Sequence, residues 1–125
     1  MAPRLSVSTV NLSAPDPGKL ARFYQRLLAM EIAAEEPDWV LLRDPEGGVA
    51  LSFQTEEPYA RPVWPAAPGA QQMMMHLEVR VEEDLDGAVA HAVAAGATLA
   101  DFQPQDDVRV CLDPAGHPFC LWLAE

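Results

Sequence analysis

One turn sequence occurs twice in this chain, as Asp44-Pro45-Glu46-Gly47 and as Asp113-Pro114-Ala115-Gly116, and the elements around it recur in the same order. An ordered internal repeat restricts the fold to two copies of one supersecondary unit. In the first copy, residues 5–12 alternate as a strand. Asp16 then suits a helix N-cap and Pro17 the first helical position. Leu20, Phe23, Tyr24, Leu27 and Leu28 follow at helical spacing, so one helix face is apolar. Strand signals come next around Ile32, over residues 39–42 and over residues 49–53. In the second copy a strand is expected over residues 73–81, then an Ala-rich helix over 84–95 with Gly96 as its stop. Strands are expected after it over 97–102, 108–112 and 119–123. The unit is βαβββ, repeated at a distance of roughly 70 residues between the two turns.

The 125 residues therefore make one α+β domain, with a first module over about 4–54 and a second over about 71–125. Residues 55–70 between them are proline-rich and lack periodicity. Their one large aromatic, Trp64, is either a plug for the core or a lid over a pocket.

Eight Lys+Arg against nineteen Asp+Glu leave a net charge of −11, which disfavours nucleic acid and anionic membrane surfaces as partners. No apolar run approaches the ~20 residues of a membrane span. The N-terminal sequence lacks the apolar stretch of a secretory signal, so a cytoplasmic location is expected. Cys111 and Cys120 are too far apart for a CxxC zinc spacing and are expected to be reduced thiols.

Several pieces of the sequence, taken in order, resemble the vicinal-oxygen-chelate superfamily of glyoxalase I, bleomycin-resistance proteins and extradiol dioxygenases, and within it the glyoxalase-like domain. They are Ala14-Pro15-Asp16-Pro17 leading to Phe23-Tyr24 and Leu27-Leu28, Leu51-Ser52-Phe53-Gln54, and Met75-His76-Leu77-Glu78-Val79. Ala94-Ala95-Gly96-Ala97 and the run from Asp113-Pro114-Ala115-Gly116 to Leu121 complete the set. The resemblance implies that each module curls into half an open barrel. It also implies that the two form a U-shaped cup of mixed sheet, helices outside, with the functional site in the cup. It further implies frequent dimerisation, so a homodimer is expected.

Metal-using members of the superfamily place His, Gln or Glu at four strand positions. Here those positions fall on or near Ser8, on Ala50 or Ser52, on His76 and on Cys120. Only His76 is a good match, and the expected cofactor complement is none, with a divalent metal as the disfavoured alternative. Met74, His76, Glu78 and Arg80 should share the cup face of their strand, with Met73, Met75, Leu77, Val79 and Val81 toward the helices. His76 and Glu78 are the candidates for acid/base chemistry, although same-face neighbours on a strand lie ~6.5 Å apart. Cys120 and Trp122 should face the same cup, and Trp39, Trp64 and Met74 would add an aromatic and thioether lining. Arg80 or Arg109 could meet an anionic group on the ligand. His117 and His91 are expected to be exposed. The function expected is binding of a small aromatic or amphiphilic molecule at Ser8, Trp39, Ser52, Trp64, Met74, His76, Glu78, Arg80, Arg109, Cys120 and Trp122. The alternative is a lyase, isomerase or dioxygenase that uses an atypical metal set or His76/Glu78 chemistry.

Overall fold

The computed structural model describes residues 2–125, which divide into two compact units, one ending at Tyr59 and one spanning Ala60–Glu125. In the first unit β1 (Thr9–Ala14), α1 (Pro17–Leu28), β2 (Glu31–Glu36), β3 (Trp39–Arg43) and β4 (Ala50–Thr55) occur in the expected order. The sheet runs β1-β4-β3-β2, with β1 parallel to β4 and the other pairs antiparallel. The Asp16 carboxylate caps α1 by accepting the Lys19 N–H at 3.1 Å. Leu20, Ala21, Phe23 and Tyr24 turn toward the sheet and are buried. Phe23 meets Tyr24 edge to face at 4.8 Å, and Tyr24 stacks on Phe53 at 5.7 Å. Burying each such ring contributes about 1.5–3 kcal/mol, so these aromatics anchor the helix to the sheet. The first strand begins only at Thr9, later than its alternation suggests. Thr9 pairs with Ala50, the first residue of β4, so the preceding residues lie beyond the end of the partner strand and Leu5 and Val7 are exposed.

The second unit contains β5 (Leu77–Val81), α2 (Leu85–Ala95), β6 (Thr98–Leu99), β7 (Val108–Leu112) and β8 (Pro118–Leu123). Its sheet runs β5-β8-β7-β6, with β5 parallel to β8, which is the same topology again. Asp84 caps α2 through the Gly87 N–H at 2.9 Å. Gly96 ends it at φ 128°, its N–H reaching the Ala92 and Val93 carbonyls. Among the described residues no helix is long and apolar enough to cross a membrane.

Two strands are shorter than their alternation predicts. Residues 73–76 are not strand, because Met74 adopts φ 63° and the Met75 N–H turns back to the Met73 carbonyl at 2.7 Å. β6 keeps only two residues, and beyond it a side chain takes over the role of the backbone ladder. Gln103 Oε1 accepts the Val110 N–H at 2.8 Å, while its Nε2 donates to the carbonyls of Ala100 and Val110.

The repeated turn is built identically in both copies. Gly47 N–H donates to the Asp44 carbonyl at 3.0 Å and Glu46 N–H to the Asp44 carboxylate at 2.9 Å. Gly116 and Ala115 make the same two bonds to Asp113 at 2.9 and 3.0 Å. Gly47 and Gly116 both sit near φ +92°, a conformation that glycine adopts without a Cβ penalty. The copies differ in burial. Asp44 is half-buried, whereas Asp113 is 1% exposed and also accepts the His117 N–H at 2.9 Å and the His117 imidazole at 2.8 Å. His117, expected to be exposed, is thus held inward by this carboxylate. His91 is exposed, as its position on α2 suggested.

Removing Asp113 strands buried donors, and removing Asp44 strands donors that water can reach. Asp113→Ala should cost about 2–4 kcal/mol and Asp44→Ala about 0.5–1 kcal/mol in urea unfolding. Equal losses would contradict the assignment. Cys111, fully buried on the helix side of β7, has its thiol pushed from an ordinary 9.0 up to about 11, chiefly by burial and then by Cys120. The folded protein therefore keeps a proton that the unfolded thiol loses. The associated stability is complete below pH 9 and is lost as pH rises toward 11. A stability profile over that window should fall less steeply in Cys111→Ala than in the parent.

Candidate functional site

Register across the second sheet decides which side chains meet. β8 lies between β5 and β7, pairing Cys120 with Glu78 on one side and with Val110 on the other. Trp122 is likewise flanked by Arg80 and Val108. Strand alternation sends Phe119, Leu121 and Cys111 toward α2, where all three are buried. It sends Cys120, Trp122, Val108 and Val110 to the other face. There they form the floor of a cavity of about 690 Å³, whose lining lies entirely within Ala60–Glu125. His76 and Glu78 stand at one side of it, with Trp64 and Met73 from the segment preceding β5. The chain between β6 and β7 adds Pro104, Gln105 and Asp107.

Five of the anticipated site residues, Trp64, His76, Glu78, Cys120 and Trp122, meet on this cavity. Met74 does not. Its positive φ breaks the alternation, leaving it 78% exposed while Met73 takes the place on the wall. Arg109 lies between two cavity-lining valines, so alternation directs it to the opposite face. One of its terminal nitrogens donates to the carbonyls of Gln105, Asp106 and Val108. Arg80 stays outside the lining, its guanidinium 6.0 Å over the Trp122 ring and 3.6 Å from Glu82. Trp64 forms wall and leaves the cavity unfilled, leaning on Phe102 at 6.2 Å between centroids. Its indole N–H is buried and meets no acceptor among the described residues.

Ser8, Trp39 and Ser52 belong to the first unit. Ser8 is exposed with its hydroxyl 3.3 Å from that of Thr9, and Ser52 is buried, accepting from the Asn11 amide at 2.7 Å. Trp39 is half-buried at the start of β3, opposite Gln54. Val108, Val110 and Asp107 were missed from the sequence. The alternation of the two valines with Arg109 was legible but was read with Arg109 toward the cup, whereas Asp107 is set by a loop that carries no periodic signal.

His76 Nε2 and Glu78 Oε2 are 3.2 Å apart, their side-chain tips converging although the residues are two positions apart. The reason is local: His76 precedes β5, just after the turn at Met74, so its imidazole is free of the pleat. Cys120 Sγ joins them, and the three candidate ligand atoms lie within 4.8 Å of one another. The Cys120 thiol is pushed above its ordinary range by burial and then by the Glu78 charge, so it is a weak nucleophile. The superfamily's metal pattern is only partly met. Ser8, Ala50 and Ser52 offer nothing comparable to imidazole or carboxylate, yet His76, Glu78 and Cys120 are a donor set that zinc accepts.

The glyoxalase-like domain family matches residues 9–122. No curated protein matches the chain. Among solved structures, a glyoxalase/bleomycin resistance protein/dioxygenase family enzyme from Burkholderia phytofirmans PsJN is 22% identical with a TM-score of 0.68, over 94% of this chain and 98% of that one. A glyoxalase-related enzyme from Fulvimarina pelagi is 19% identical with a TM-score of 0.69, over 95% and 88%. Lactoylglutathione lyase from Agrobacterium tumefaciens is 14% identical with a TM-score of 0.61, over 98% and 96%. At these identities the structures speak for the fold alone. With the repeated βαβββ unit, its paired turns and a family match from β1 to β8, the chain belongs to the glyoxalase-like domain family of the vicinal-oxygen-chelate superfamily.

Proposed function

We propose that this protein binds a small aromatic or amphiphilic molecule in the cavity of its second module, without the superfamily's full metal set. The carrying observation is the cavity, about 690 Å³ between Trp64, Trp122, Met73 and Val110, with His76 and Glu78 as convergent polar groups. That volume falls in the roughly 300–1,000 Å³ range of sites for drug-sized ligands, and apolar walls with few polar groups are their usual construction. Thermal-shift screening of aromatic and amphiphilic compounds tests the reading. A ligand at a hundred times its Kd should stabilise by about 2.7 kcal/mol, and the gain should vanish in the His76→Ala/Trp122→Ala double variant. A broad library without a stabilising compound counts against it.

A second reading has its own observation, the three donors within 4.8 Å. A divalent ion of the zinc type would be held by His76, Glu78 and Cys120. It would supply Lewis acidity toward a ligand oxygen or a bound water. In that setting His76 and Glu78 serve as ligands and are lost as an acid/base pair. Protein purified without chelators should carry stoichiometric metal on this reading, and both His76→Ala and Cys120→Ser should lose it. Metal-free protein that still binds aromatic ligands returns the assignment to the first reading.

A further inference from the structure

We infer that the occupant of this cavity is an organic cation, an amine or quaternary ammonium attached to a flat apolar body; this builds on the binding reading above. Charge on the wall carries the inference. The ionisable residues lining the cavity are Glu78, Asp107, Glu125, His76 and Cys120, and among the described residues no lysine or arginine lines it. The module is poor in cations to begin with, its Ala60–Glu125 segment holding three arginines and no lysine against ten Asp and Glu. Each arginine stays outside the lining and has partners of its own, although Arg80 lies close by, over the Trp122 ring. Arg61 donates to the Pro114 carbonyl at 3.1 Å, Arg80 pairs with Glu82, and Arg109 serves three carbonyls.

Among the described lining residues His76 is the only basic side chain, and Glu78 stands 3.2 Å from its Nε2. An anionic ligand would therefore meet carboxylates on the wall without a lysine or arginine of the lining to answer it, the nearby Arg80 being paired with Glu82. A cation meets the reverse. Glu78 and Asp107 are exposed, so each attraction alone is weak. A concavity lined by one sign of charge over apolar walls focuses that field. The tryptophans add ring faces that attract cations, and the Arg80 guanidinium over Trp122 shows one such ring already holding a positive group.

The test uses four probes of similar shape: phenethylamine, phenethyltrimethylammonium, 3-phenylpropan-1-ol and 3-phenylpropionate. Binding is measured by calorimetry and by the Trp122 indole resonance, at low and at high ionic strength. The two cations should bind about tenfold more tightly than the alcohol at low salt, with the carboxylate weakest. Salt should erode the preference. Glu78→Gln/Asp107→Asn, at exposed positions, should bring the cations to the level of the alcohol measured on the same variant. Equal binding of alcohol and cations, tightest binding of the carboxylate, or a preference that survives the double variant would each overturn the inference while the binding reading stands. If none of the four, the alcohol included, moves the Trp122 resonance, the binding reading falls and the cation with it.

Discussion

The pairing of β8 with a parallel neighbour on one side and an antiparallel one on the other is the constraint on which the second module depends. It places Glu78, Cys120 and Val110 in one row and Arg80, Trp122 and Val108 in the next. Because side chains alternate with period two, a one-residue slip would send Phe119 and Leu121 to the cavity and Cys120 and Trp122 under the helix. The apolar burial of Phe119, Leu121 and Cys111 against α2 resists that slip. Core and candidate site are thus two faces of one registration.

The two copies of the unit have diverged at the same structural point. In each, an aspartate closes the last hairpin with the same two hydrogen bonds. In the second copy that aspartate is enclosed and has gained His117 as a further donor. Arg61 lies over the neighbouring Gly116, where a Cβ would collide with its side chain. The second hairpin is consequently tied to the proline-rich segment that also delivers Trp64 to the cavity wall. The site is shaped from two directions, by strands below and by this tethered segment above.

The cluster of His76, Glu78 and Cys120 shows how a small backbone departure changes chemistry. In a regular strand His76 and Glu78 would be same-face neighbours with backbones ~6.5 Å apart, and only their side-chain tips could converge. The left-handed residue at Met74 ends regular pairing before His76 and lets the imidazole fold back toward the carboxylate. The same departure exposes Met74 and puts Met73 on the wall.

Much of the architecture was legible in the residues. Turn chemistry at Asp44 and Asp113, caps at Asp16 and Asp84, and the apolar spacing of Leu20, Phe23 and Tyr24 are local signals that report local geometry. The repeat then implied two copies of one βαβββ order, the resemblance implied the mixed sheet, and alternation within β8 correctly grouped Cys120 with Trp122. What a single strand's pattern could not carry was pairing and irregularity. The extents of β1 and β6 depend on partner strands, and Gln103 substitutes for a ladder through side-chain bonds to Ala100 and Val110 that no strand pattern announces. Which face of β7 meets the cavity is set by its pairing with β8, and the approach of His76 to Glu78 lies just before β5, where no period holds. The charge of the cavity belongs to the same class: an acidic composition was evident from the start, but only tertiary structure drew Asp107 and Glu78 to the wall and left the module's arginines out of its lining. Sequence determined the repeated unit because its signals lie within a few residues of one another; the tertiary structure decided the site because its members come from separate elements held in register by the core.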